Sequence, residues 1–192
     1  GARSAEETIQ NAREQARFLK NYSLTQRLGH IEKLREGILN RSEEIAKKIA
    51  QETKKSLGDA LISEVFGVLD FLHYLEKNSQ EHLANKKVST PIALMGKKSE
   101  IWLDPLGVVL VISPWNYPFY QAIAPCMLSF VCGNATVYKP SEYTPLKNLV
   151  EDLLKSAEFD PHWVQVVYGD GVLGEELIQA GPSKVFFTGS VR

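Results

Sequence analysis

The second half of the chain contains four short, continuously apolar runs, Val108 to Ile112, Ala135 to Tyr138, Val164 to Val167 and Val185 to Phe187, separated by stretches long enough for helices. A strand that is apolar at every position has no face to show to water. Strands of this kind alternating with helices form a parallel sheet covered on both sides. The expected fold is therefore α/β, a doubly wound, Rossmann-like parallel sheet. In such sheets ligands bind beyond the carboxyl ends of the strands, so chemistry is sought in the residues just after each run.

The first eighty residues follow a different period. Ser4 with Glu7, and Ser23 with Gln26, have the spacing of capping boxes and mark two helix starts. Apolar residues then recur every three or four positions: Ile9, Ala12, Ala16 and Leu19, then Leu24, Leu28, Ile31, Leu34 and Ile38. A third amphipathic stretch holds Ile45, Ile49 and Ala50, and a fourth, after Gly58, holds Leu61, Val65, Leu69, Leu72 and Leu75. From Val88 to Asp104 the pattern becomes that of a hairpin around Gly96-Lys97-Lys98, with Ile101 and Leu103 on one side of the second arm and Trp102 on the other. Such a short arm between unlike regions needs a partner to cover its edges.

Charge and composition remove several classes of function. Lys and Arg number 22 against 23 Asp and Glu, a net charge of −1, so no field over the whole chain attracts nucleic acid or anionic lipid. No apolar stretch approaches the ~20 residues of a membrane span. No charged segment followed by an apolar one opens the chain as a secretory leader would, which makes the cytoplasm the default location. Cys126 and Cys132 fit no usual metal spacing and have no His close by to activate a thiolate, so both are expected as buried small hydrophobes. His30, His73, His82 and His162 are scattered and are expected at the surface or at caps, and no metal is expected.

Each strand end carries a signal that is ambiguous alone. After the first run comes Ser113-Pro114-Trp115-Asn116-Tyr117-Pro118, where prolines and aromatics stiffen the turn and Asn116 supplies a directed amide donor; a structural turn uses the same residues. After the second comes Lys139-Pro140-Ser141-Glu142, whose cation and anion suit the vicinal hydroxyls of a ribose or equally a surface ion pair worth under about 1 kcal/mol. Gly169-Asp170-Gly171-Val172-Leu173-Gly174 matches the glycine fingerprint of dinucleotide sites literally. That fingerprint belongs to a first βα turn and needs an acidic residue about 20 positions on, so here it is read as a decoy. Phe187-Thr188-Gly189-Ser190 follows the last run and is the better phosphate turn.

Taken in order, P-W-N-Y-P, K-P-S-E, a glycine-rich turn and F-F-T-G-S resemble the NAD(P)-dependent aldehyde dehydrogenase superfamily, over about Leu106 to Arg192, with wording closest to its class-3 members. The resemblance implies that an enzyme cysteine attacks an aldehyde, that hydride passes to the nicotinamide, and that a glutamate assists hydrolysis of the thioester. It assigns Asn116 to the oxyanion, Ser113, Pro114 and Trp115 to the nicotinamide half of the cleft, and Tyr117 to the aldehyde tunnel. It likewise assigns Lys139 and Glu142 to the adenine-side ribose, Gly171 to a place beside the adenine, and Gly189 with Ser190 to the pyrophosphate. NAD is the expected cofactor, with NADP possible, because a carboxylate at Glu142 repels a 2′-phosphate.

The resemblance also implies that residues 1–87 and 105–192 form a truncated cofactor-binding domain, and that 88–104 is an oligomerisation hairpin serving a homodimer or tetramer. The family's nucleophile and general base lie downstream of the T-G-S turn. The catalytic domain is thus expected to be absent from these 192 residues, which alone should be inactive. Two alternatives stay open: a non-catalytic nucleotide-binding or regulatory module, and a reductase of acyl thioesters or acyl phosphates in the same superfamily.

Overall fold

The computed structural model describes residues 4–189. Helices α1 (Ala5–Leu19) and α2 (Leu24–Asn40) both begin in complete capping boxes. Ser4 Oγ accepts from the Glu7 amide at 3.2 Å while the Glu7 carboxylate accepts from the Ser4 amide at 3.0 Å. Ser23 and Gln26 repeat the exchange. Helix α3 (Ser42–Thr53) buries Ile45, Ala46 and Ile49.

The fourth helical stretch departs from its expected form. Helix α4 (Leu57–Ala60) runs through a π-helical turn, Leu61–Phe66, into α5 (Gly67–His82). Each wider turn accommodates an extra residue, and the neighbours Glu64 and Val65 are both buried within it. Apolar spacing hides this, because the helical period resumes with Val68, Leu72 and Leu75 buried beyond the π turn.

The hairpin is real but smaller than its sequence pattern. Strand β1 (Lys86–Val88) pairs antiparallel with β2 (Ser99–Ile101), in the register Lys86 to Ile101 and Val88 to Ser99. The first arm starts at Lys86 rather than Val88, and Trp102 and Leu103 lie past the paired segment. Pro91, which has no amide to donate, leads into a single 3-10 turn over Ile92–Leu94, so the ladder stops early. Ile92 and Met95 are 89% and 87% exposed.

The main sheet has the expected four strands, β3 (Val108–Ile112), β4 (Ala135–Lys139), β5 (Val164–Val166) and β6 (Lys184–Phe187), all parallel in the order β5-β4-β3-β6. Helices α6 (Pro118–Val131) and α7 (Leu149–Ser156) cross from β3 to β4 and from β4 to β5, whereas α8 (Gly171–Gln179) returns across the sheet to β6. Right-handed crossovers put α8 on the face opposite α6 and α7, and α1 packs with α8 there. The strand order therefore reverses between β3 and β6, and the crevice above their carboxyl ends is the switch point where doubly wound sheets hold ligands.

Two residues behave otherwise than their sequence context suggests. His30 is half-buried rather than superficial: its Nδ1 donates to the Ala157 carbonyl at 3.0 Å and its Nε2 lies 2.9 Å from the Tyr22 hydroxyl. Its ring joins Phe130, Phe159 and Trp163 in an aromatic cluster. Gly133 has φ +84°, and a Cβ there would stand 2.7 Å from Arg27 Nη1 and 2.9 Å from Pro105 Cγ. Only glycine lets the chain leave α6 past the buried Arg27 guanidinium.

Candidate active site at the strand carboxyl ends

The loop after β3 is pinned at several points. The Ser113 amide donates to the Lys139 carbonyl at 3.2 Å, and its hydroxyl to the Gln121 carbonyl at 2.8 Å. Thr144 Oγ1 donates to the Trp115 carbonyl at 2.9 Å, and Lys55 Nζ to the Asn116 carbonyl at 2.6 Å. Pro118 opens α6 at a position where a missing amide costs nothing. Ser113 is buried and Pro114 half-buried, whereas Trp115, Asn116 and Tyr117 are exposed. The Asn116 backbone is thus held while the residue stays exposed.

Lys139 and Glu142 are together, the lysine buried and the glutamate exposed. Lys139 is 3% exposed, its Nζ donates to the Pro140 carbonyl at 3.2 Å, and it stands 3.9 Å from Glu142 Oε2. Burial holds its ammonium below the ordinary lysine range, against the pull of Glu142 and Asp170. Pro140, Glu142, Lys147, Tyr168 and Asp170 line a cavity of about 280 Å³ beside it. The Tyr168 hydroxyl, which shapes one wall, donates to Glu151 Oε1 at 2.6 Å and accepts from the Asn148 amide at 3.2 Å.

In the glycine-rich turn, Asp170 is the N-cap of α8, and its carboxylate accepts from the Val172 and Leu173 amides at 3.0 and 3.4 Å. The donors that a fingerprint would offer to phosphate already hold an anion. A Cβ at Gly171 would meet nothing within 4 Å, while one at Gly174 would touch Lys139 Cδ at 3.6 Å. Gly174 is thus buried against Lys139 and Ile112 at distances that a Cβ would fit. Gly189 follows β6, whose continuation is tied to β3 by the Thr188 amide donating to the Ile112 carbonyl at 3.1 Å. Ser190 lies outside the described residues.

Two charged residues here escaped the sequence reading. Lys55 and Glu64 form a largely buried ion pair at 2.9 Å, against the loop that carries Asn116. No motif marks them, because the connection after α3 and the π turn meet that loop only in three dimensions. The cysteines fit no catalytic role in this stretch. Cys126 is buried and its thiol is pushed well up by desolvation; Cys132, expected to be buried, is partly exposed, yet burial pushes its thiol up too. Among the described residues no cluster of His, Cys, Asp and Glu would hold a metal, and no helix is long and apolar enough to cross a membrane.

A sequence profile described as "Aldehyde dehydrogenase family" matches residues 1–192. The chain belongs to the aldehyde dehydrogenase family. It is similar to the 4,4'-diapolycopene aldehyde oxidase of Methylomonas sp, 36% identical over 189 residues that cover 97% of this chain and 36% of that protein. Its similarity to aldehyde dehydrogenase family 3 member A2 of Macaca fascicularis is 30% over 185 residues, 96% of this chain and 38% of that one, in agreement with the class-3 wording of the motifs. Among solved structures, the substrate-bound state of Staphylococcus aureus AldH matches with a TM-score of 0.88 at 28% identity, over 98% of this chain and 41% of that one. This aldehyde dehydrogenase chain therefore spans well under half the length of these relatives.

Proposed function

We propose that the chain is the NAD(P)-binding part of an enzyme that oxidises an aldehyde to a carboxylic acid. The observation that carries this reading is Asn116, an exposed residue on a backbone pinned by Lys55 and flanked by a second pin on Trp115, at the switch point of the sheet. A cysteine and a glutamate from outside these 192 residues act as nucleophile and general base. The thiolate adds to the aldehyde carbonyl to form a thiohemiacetal, and the Asn116 Nδ2 donor stabilises the oxyanion. Bound NAD supplies the acceptor for the hydride that leaves this carbon. Water then cleaves the thioester, and the product departs as carboxylate. Aldehyde-dependent formation of NADH by the full-length enzyme tests the reading, and its absence overturns it.

The residues present suit this cofactor. Lys139 has ammonium donors to spare beside the cavity that Glu142 borders, and the open space over Gly171 admits a planar ring. Ser113, Pro114 and Trp115 are assigned to the nicotinamide side, and Tyr117 to the aldehyde path. Residues 1–87 and 105–192 form the cofactor-binding unit, and the exposed hairpin around Ile92 and Met95 is its oligomerisation arm.

The Glu142 carboxylate accounts for a preference for NAD, since a 2′-phosphate on the ribose would meet it. Unit charges at about 4 Å repel by about 1 kcal/mol even in water. Glu142→Gln or Glu142→Thr is therefore expected to raise kcat/KM for NADP relative to NAD about fivefold or more. An unchanged ratio would leave Glu142 as a partner of Lys139 and nothing else.

The occupied amides of α8 lead to a structural prediction. In a cofactor-bound crystal structure the pyrophosphate should lie at the turn after β6, by Gly189 and Ser190, with the Asp170 carboxylate still on the Val172 amide. Phosphate oxygens hydrogen-bonded to the amides of residues 170–174 would contradict the assignment.

A further inference from the structure

Lys55 and Glu64 lie outside every motif of the chain, yet they hold the loop at Asn116 and just after it. Glu64 sits in the π turn and is 0% exposed. Its Oε2 accepts from the Phe119 and Tyr120 amides at 2.8 and 3.3 Å, donors in the first turn of α6, which has no cap of its own. Its Oε1 accepts from Lys55 Nζ at 2.9 Å. The same ammonium donates to the Asn116 carbonyl at 2.6 Å and stands 3.8 Å from the centre of the Tyr117 ring. A buried carboxylate is costly unless its oxygens are paired, and here the π turn delivers it to three donors at once. Interruptions of this kind in a helix are often retained at functional sites.

We propose that Lys55 and Glu64 are positioning residues that aim the Asn116 amide, Lys55 by holding its carbonyl and Glu64 by holding Lys55 and the start of α6. This rests on the reading of Asn116 as the oxyanion donor. Such a donor works only when preorganised at the place where charge develops, and a misplacement of about 1 Å costs on the order of 10²-fold in rate. Neither residue contacts Lys139 or Glu142 among the described interactions, so the effect falls on kcat and spares the KM for NAD.

The test is a double-mutant cycle in the full-length enzyme. Lys55→Met is expected to lower kcat by about 10-fold to 10²-fold with the KM for NAD little changed, and Lys55→Arg to restore most of the loss. On an Asn116→Ala background Lys55→Met should cost almost nothing more, since both act through one amide. Losses that multiply, or a Lys55→Met enzyme with unaltered kcat, overturn the proposal while the oxyanion reading stands. An Asn116→Ala enzyme with unaltered kcat overturns that reading first, and this proposal with it. Lys55→Met strands a buried carboxylate and threatens folding, so Lys55→Met/Glu64→Gln, which leaves the site neutral and keeps an acceptor for the Phe119 amide, is measured alongside. A kcat loss with unchanged KM in that folded pair supports the proposal, and a wild-type kcat overturns it.

Discussion

Asn116→Ala in the full-length enzyme is expected to lower kcat by about 10²-fold or more and to leave NAD affinity almost unchanged. Removing one preorganised donor from a developing oxyanion costs about 2.7–4 kcal/mol of transition-state stabilisation. The effect belongs to the transition state because a ground-state carbonyl oxygen carries less charge, so kcat and kcat/KM should fall together. NAD affinity is spared because the Lys139 and Glu142 pair stands on the next strand end, after β4. Steady-state kinetics with varied aldehyde, together with NAD binding followed by fluorescence, decides the matter. A loss confined to KM would instead make Asn116 a substrate-binding residue, and no loss would remove it from the chemistry.

The largest effect on stability is expected from Phe130→Ala. Phe130 is 0% exposed, and its ring centre lies 4.7 Å from that of Phe159 and 5.6 Å from that of Trp163. The edge of His30 closes the cluster at 6.3 Å, so one ring on α6 ties the helical half to the approach to β5. Truncating such a ring loses its transfer free energy and leaves a cavity, at a cost of about 3–5 kcal/mol. The cluster is framed by helices fixed to the sheet, which limits collapse into the void. Thermal unfolding of the full-length variant, followed by circular dichroism, should show a clearly lowered midpoint. A change under about 1 kcal/mol would show that the neighbours fill the space. The site should be disturbed much less, because Asn116 is anchored at the opposite end of α6.

The two predictions differ in how much of their basis the sequence disclosed. Asn116 was legible because the turn that carries it is local: a continuously apolar strand ends, two prolines restrict the backbone, and a helix begins at Pro118. The capping boxes at Ser4 and Ser23 were legible for the same reason, each being a contact between residues three apart. The glycine turn is read as a decoy from its place in the strand order, a reading that the Asp170 cap on the Val172 amide supports. In contrast, the cluster that Phe130 anchors joins residues far apart in the chain, and the sequence around His30 carries no sign of its partners there.

By itself, then, the sequence determined the α/β class, the four parallel strands, the capped helices and the strand-end residues where chemistry is expected, because period, capping and turn chemistry act over a few residues. Tertiary structure alone decided that Lys139 is buried rather than superficial, that the hairpin ladder is three residues deep on each arm, and that a π turn carries Glu64 to the amides of α6 and to Lys55. The physical reason is that burial and the pairing of charges across elements depend on which surfaces meet. Nothing in the spacing of Lys55, Glu64 and Asn116 along the chain records that they do.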